Sequence, residues 1–306
     1  MTPSKCGELA ADVARTISRF QGWNIAVSGT SRLSKTRAVL EKVAANGSYP
    51  IDQLAIVGNA IRTALDFREI AKLVGPTREE ALAHDINSAL KGTVDQQQPS
   101  HKPYQFQTQL WMGAILQAAG LTPTVPTDRD TPNPDFTIDL APGLYAAEVK
   151  RPGSLEQAEK RLSKAKDQLN ACGLAGLVVL DVSDCFDDAE KMQVVASPAG
   201  PPQDRISKRF RQIKKALSSK VSDPATRLHR PGYSSVIVLA LLARGFRWDL
   251  DNLAVPDPFV TVAMGLFTSV KYNLQWHHGQ SIRNRLEQGL NASGIYAWRT
   301  WTEHGD

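Results

Sequence analysis

The sequence predicts an α/β fold, with a mixed central sheet flanked by helices and preceded by an all-helical N-terminal region. Three observations carry this. Residues 1–100 place their apolar positions mostly at helical spacing. Beyond residue 104, unbroken apolar runs such as GLAGLVVLDVS (173–183) and VIVLALLA (236–243) alternate with amphipathic stretches. Such runs are the pattern of strands buried on both faces. Between them, 134–150 reads as two short strands joined by a Pro142-Gly143 turn.

Taken in order, CGELAADVARTISRF (6–20) sets Leu9, Val13 and Ile17 on one helical face. SRLSKTRAVLEKVAA (31–45) reads as a helix stopped by Asn46-Gly47. A longer helical stretch, 51–74, carries a break near Gly58 and ends at Gly75-Pro76. Thr77 and Glu80 form a capping box for the next helix. The aperiodic polar segment GTVDQQQPSHKP (92–103) marks a boundary between a helical region, 1–100, and a second domain, 101–306.

The second region opens with the helix YQFQTQLWMGAILQAAG (104–120) and a short strand in LTPTVP (121–126), and the 134–150 hairpin follows. SLEQAEKRLSKAKDQLNAC (154–172) is a helix with Ser154 as N-cap and a stripe of Leu155, Ala158, Leu162, Ala165 and Leu169. After the strand at 173–183, residues 185–203 read as irregular. A helix over 204–220 buries Ile206, Phe210, Ile213 and Leu217. Strands at 234–243 and around 259–267, then a helix at 280–290, complete the order.

At 306 residues and 42% hydrophobic, the chain can bury a sizeable core. A net charge of +5 favours anionic partners, nucleic acid first. Its three cysteines, Cys6, Cys172 and Cys185, form no CxxC pair, which argues against a disulfide framework or structural zinc and for a reducing compartment. The N-terminal residues lack a signal-peptide apolar core, and the longest apolar run is too short to span a bilayer. A cytoplasmic protein without membrane contact is expected.

The chemistry concentrates in the hairpin. Asp135 stands where the first strand begins, and Glu148 and Lys150 stand two residues apart on the second. Period-two alternation gives Glu148 and Lys150 one face and Val149 the other. Two carboxylates and an ammonium suit a hard cation and a phosphodiester. Asp135, Glu148 and the Val149 carbonyl would chelate Mg2+, with Mn2+ as a substitute. Lys150 would orient the attacking water or neutralise charge developing on the phosphate. Asp139 is a rival ligand on the same strand face, and Asp130 a second rival in a loop. The competing structural reading makes Asp135 a turn former and Glu148 and Lys150 a solvated, ion-paired edge.

Pro134-Asp135 followed by Glu148-Val149-Lys150 resembles the PD-(D/E)xK nuclease superfamily, which includes restriction endonucleases. The resemblance covers 105–243 and extends to the order of helix, three-stranded meander, helix, strand, helix and strand. It implies a restriction-endonuclease-like sheet and metal-dependent phosphodiester hydrolysis. It also gives a supporting role to Gln168, in the KAKDQL of the following helix. Many exonuclease-like members carry an acid on the leading helix; here that helix has Gln105, Gln107 and Gln109 instead, so a sparse site is expected, with one metal or with a second held weakly.

Basic residues surround this motif: Arg151 directly after it, Lys164 on the next helix, and Arg205, Lys208, Arg209, Arg211, Lys214 and Lys215 on the helix 204–220. They are candidates for phosphate contact, against the alternative of a solvated face whose long stems cover the core. GTSRLSKT (29–36) resembles a phosphate-binding loop but has Ser34 where a glycine is needed, so a basic helix start is preferred. His277-His278 lacks further ligands at metal spacing and reads as a loop or surface pair. Trp298 and Trp301 read as docking the C-terminal tail more readily than stacking on bases.

The expectation is a Mg2+-dependent nuclease acting on DNA, endonuclease before exonuclease, in bacterial defence or restriction by family analogy. Its partners would be DNA and either a second copy of the chain or a protein engaged through residues 1–100. The alternative is a nucleic-acid-binding or scaffold protein that keeps such a fold without cleaving.

Overall fold

A computed structural model describes residues 2–47, 50, 53–73, 79–94, 101–126, 133–140, 143–186, 192–195, 210–217, 236–249, 257–266, 274–292 and 297–300. The elements are α1 (Pro3–Gly22), α2 (Arg32–Asn46), α3 (Leu54–Ile70), α4 (Glu79–Ala89), α5 (His101–Ala118), β1 (Pro123–Thr124), β2 (Phe136–Leu140), β3 (Gly143–Lys150), α6 (Leu155–Ala171), β4 (Gly176–Asp181), β5 (Met192–Val195), β6 (Val236–Asp249), β7 (Asp257–Leu266), α7 (Leu274–Ala292) and β8 (Ala297–Thr300). Residues 210–217 are also helical. The Thr77 cap, the Gly75-Pro76 stop and Pro142 lie outside the described residues. The chain forms two compact units: Met1–Ala114 with Asp187–Asp204 and Gly245–Phe259, and Ile115–Phe186 with Arg205–Arg244 and Val260–Asp306.

In the first unit, α1, α2 and α3 pack on one another. Leu9 and Val13 are buried as the α1 stripe predicts, whereas Ile17 is half-buried and Thr16 fills the interior. Helix α2 starts at its N-cap Ser31, whose Oγ accepts from the Ser34 amide. It stops at Gly47, whose φ of +71° favours glycine. The segment resembling a phosphate loop is therefore an ordinary capped helix start, with Arg32 buried in the core. Helix α3 runs unbroken through Gly58, where the sequence suggests a break. The glycine instead admits the Phe246 ring, which a Cβ there would meet at 3.0 Å.

In the second unit the strand order is β1-β2-β3-β4-β6-β7-β8. β1, β2 and β3 are antiparallel neighbours, while β3, β4 and β6 run parallel, so the sheet is mixed. Helix α6, capped by Ser154 Oγ accepting from the Gln157 amide, packs on β3 and β4. Ala158, Leu162, Ala165 and Leu169 are its buried stripe, with Leu155 only half-buried. In the first unit, the segment expected to be irregular at 185–203 contains β5, which pairs parallel with residues 246–249 of β6. Trp298 lies in β8 beside β7, and Trp301 lies outside the described residues.

Close backbone approach fixes the β3–β4 pairing at Gly176. A Cβ there would stand 1.9 Å from the Ala146 carbonyl oxygen and 2.7 Å from its carbon. Relieving that overlap requires the two strands to part, because backbone cannot rotate away as a side chain does. Gly176→Ala is expected to lower unfolding stability by about 1–3 kcal/mol or more, read from urea denaturation. An unchanged midpoint would show that the strands tolerate the separation.

Candidate metal centre

The β2–β3 register pairs Phe136 with Ala147 and Ile138 with Tyr145. One step further along, Asp135 therefore stands opposite Glu148, and opposed residues of an antiparallel pair share a face. Lys150, two residues on, shares it too. The hairpin thus gathers the three charged side chains by pleat and register alone.

The contacts follow. Asp135 Oδ2 accepts from the Val149 amide at 2.7 Å and from Lys150 Nζ at 3.3 Å. Lys150 Nζ also forms an ion pair with Glu148 Oε2. Glu148 is fully buried, at 0% exposure. β3 lies between β2 and β4, and every residue from Tyr145 to Lys150 is buried. The solvated-edge reading of Glu148 and Lys150 is therefore overturned.

Burial, reinforced by the Asp135 charge, pushes the Glu148 carboxyl up to about 7, against the pull of Lys150. Burial also works against the Lys150 ammonium, but the Asp135 and Glu148 carboxylates outweigh it and hold the group above its ordinary value. The rival ligand Asp139 is exposed and pairs with Leu144 toward the other end of the hairpin, about 13 Å along the strand from Asp135. Asp130 lies outside the described residues.

Gln168 sits near the end of α6, and its Oε1 is buried without a hydrogen-bond partner. Cys172 caps that helix one turn later, on the same face. Burial raises the Cys172 thiol, and the Glu148 carboxylate raises it further. The Asp135 and Glu148 carboxylates, brought together around Lys150 with Glu148 wholly buried, are donors whose chemistry fits a hard divalent cation. Among the described residues no group of three or more His, Cys, Asp and Glu could hold a metal. A cation here would thus have two carboxylates and complete its shell with water or backbone oxygen.

Arg151, expected to touch phosphate, is instead committed to the interior. Its Nε donates to Asp184 Oδ2 at 2.8 Å and its Nη2 to Asp184 Oδ1 at 3.0 Å, with Asp181 Oδ2 3.8 Å from Nη1. Arg244 Nε donates to the same Asp181 oxygen at 3.0 Å, and Ser183 donates its amide to Asp181 Oδ1 at 3.2 Å. Burial opposes the Asp181 charge, but Arg244 and Arg151 hold its carboxyl below the usual range. Sequence reading missed this cluster. Its signal was a charged residue at the end of each apolar run, Asp181 after LVVL and Arg244 after VIVLALLA.

Of the other basic candidates, Lys164, Arg211 and Lys215 are exposed and Lys214 is half-buried. Arg205, Lys208 and Arg209 lie outside the described residues. The histidine pair lies on α7 rather than in a loop. His278 Nδ1 hydrogen-bonds the Tyr145 hydroxyl of β3, with ring centroids 5.2 Å apart and edge-to-face, while His277 is exposed.

Comparison with family descriptions, curated proteins and solved structures finds no match for this chain. Among the described residues, no helix is long and apolar enough to cross a membrane.

The buried acid makes a signed prediction for the metal-free chain. Between about 4.5, the ordinary glutamate value, and about 7, the folded state keeps a proton that the unfolded state releases. Stability therefore falls as pH rises through this window, by at most about 1.4 kcal/mol per pH unit. Glu148→Gln removes that slope and is at least as stable as the parent above pH 7, by urea denaturation in chelator. A steeper slope in the variant would refute the shift.

Proposed function

We propose that this chain is a Mg2+-dependent nuclease of restriction-endonuclease-like fold, hydrolysing phosphodiester bonds in DNA as an endonuclease. Cytoplasmic genome defence is the setting we infer by analogy with the superfamily. One observation carries the reading: Asp135, Glu148 and Lys150 converge on one buried face of the sheet, with Glu148 wholly desolvated. A carboxylate kept in such a place costs stability that packing alone does not require.

Asp135 and Glu148 would hold the cation, with the Val149 carbonyl as a third donor. When bound, the cation would polarise the phosphate and acidify a water. Lys150 donates a proton-bearing amine toward a phosphate oxygen and stabilises the charge that develops there. Gln168 offers its buried carbonyl oxygen to orient the water. Lys164, Arg211, Lys214 and Lys215, with Arg205, Lys208 and Arg209 on the same sequence segment, contact the backbone phosphates and make binding salt-dependent.

The test is cleavage of supercoiled and linear DNA with Mg2+. Glu148→Ala and Lys150→Ala are each expected to cut at least ~100-fold more slowly. If both cut as well as the parent chain, the reading is wrong. A non-cleaving nucleic-acid-binding protein is the second reading, favoured by the ion pairing of Lys150 with both acids. Salt-dependent DNA binding with no cleavage in any divalent cation would select it.

A further inference from the structure

We propose that Lys150 is a place-holder for the divalent cation, an inference that rests on the metal-centre reading. In the metal-free chain its ammonium occupies the counter-charge position between Asp135 and Glu148. It gives up both carboxylates when a cation is bound there, and its amine is then free to meet a substrate phosphate.

The geometry of one small site carries this. Lys150 Nζ lies 3.3 Å from Asp135 Oδ2 and is ion-paired to Glu148 Oε2, so it spans the two groups that would bind metal. Its side chain is 11% exposed and that of Glu148 is 0% exposed, so little water shares the space. Lys150 is the cation that faces the buried Glu148 carboxylate, and it faces Asp135 as well. A dication bound by the same two carboxylates would replace the counter-charge that Lys150 supplies. An ammonium and a dication cannot share the same oxygens at low dielectric, because their mutual repulsion is unscreened. The backbone offers no escape, since β2 and β4 hold β3 on both sides. The long side chain of Lys150 is the part that can move.

Cation affinity is then set by an exchange rather than by simple filling of a gap. The metal-free fold is protected from two adjacent buried anions, and the amine is released only in the loaded state.

Titration calorimetry with Mg2+ alone, on the full chain, tests this without any nuclease assay. Lys150→Met keeps the length of the stem and removes the charge. The variant is expected to bind Mg2+ roughly tenfold or more tightly than the parent chain, with a lower melting temperature when metal-free. Equal or weaker affinity in the variant overturns the place-holder role while leaving the metal centre standing. Absence of Mg2+ binding to either protein overturns the metal centre and this inference together. Should Lys150→Met fail to fold, the parent chain supplies the second measurement. Reductive dimethylation of Lys150, followed by peptide mass and referenced to exposed Lys164, is expected to rise several-fold on adding Mg2+. Unchanged labelling, in a chain that Mg2+ demonstrably stabilises, overturns the proposal.

Discussion

The second unit is built around a carboxylate that it has to bury. Glu148 lies in a strand flanked on both sides, with no exposure to solvent. Desolvating such a group costs several kcal/mol unless an opposite charge accompanies it. Lys150 is that charge, and the pleat puts it on the right face. Asp135 arrives opposite Glu148 only through the β2–β3 register. A slip of one residue would turn β2 over and carry Asp135 to the other face. Hairpin register and site geometry are thus one constraint. A sequence selected for stability alone would have an apolar residue at Glu148.

A second buried charge group stands at the carboxyl ends of the neighbouring parallel strands, and there the balance differs. Asp181 and Asp184 face Arg151 and Arg244, two anions against two cations, with Ser183 adding hydrogen bonds. The arginines outweigh desolvation, so Asp181 stays ionised. Its contribution to stability is present above the ordinary carboxylate range and lost as pH falls below it. Glu148 has the opposite sign, since burial there outweighs the single lysine. Adjacent strands of one sheet therefore respond to pH in opposite directions. The number of cations within reach decides which, not depth of burial.

The first unit follows a different plan. Helix α3 buries 14 of its residues, among them Asn59, Arg62, Thr63, Asp66 and Glu69. Arg32 of α2 donates to the Ala89 carbonyl at 2.6 Å and lies 4.4 Å over the Tyr104 ring. Gln107 donates to Asp66 Oδ2 at 2.6 Å and accepts from Arg32. Gln107 is thus a hydrogen-bonding member of this interior. An amide suits that post because it donates and accepts at once, which a carboxylate cannot do.

Much of this was legible in the sequence, because it is local. Ser31 and Ser154 as caps, Gly47 as a stop, the α6 stripe, and the strands β2, β3, β4 and β6 follow from spacing and from side chains acting on their own backbone. The shared face of Glu148 and Lys150 follows from the pleat alone. What the sequence could not determine is what lies beyond that face. Whether it meets water or protein depends on what the rest of the fold packs over it, and that burial turns an exposed ion pair into a desolvated one. The same holds for Arg151. As a sequence letter it is one more cation beside the Glu148-Val149-Lys150 motif. Only the tertiary structure brings Asp184 and Asp181 against it, from a strand end some thirty residues away, and so places it in the core. β5 and the continuity of α3 through Gly58 were hidden for a related reason. Each depends on residues around Phe246, distant in sequence, and a local pattern carries no record of a partner it meets only on folding.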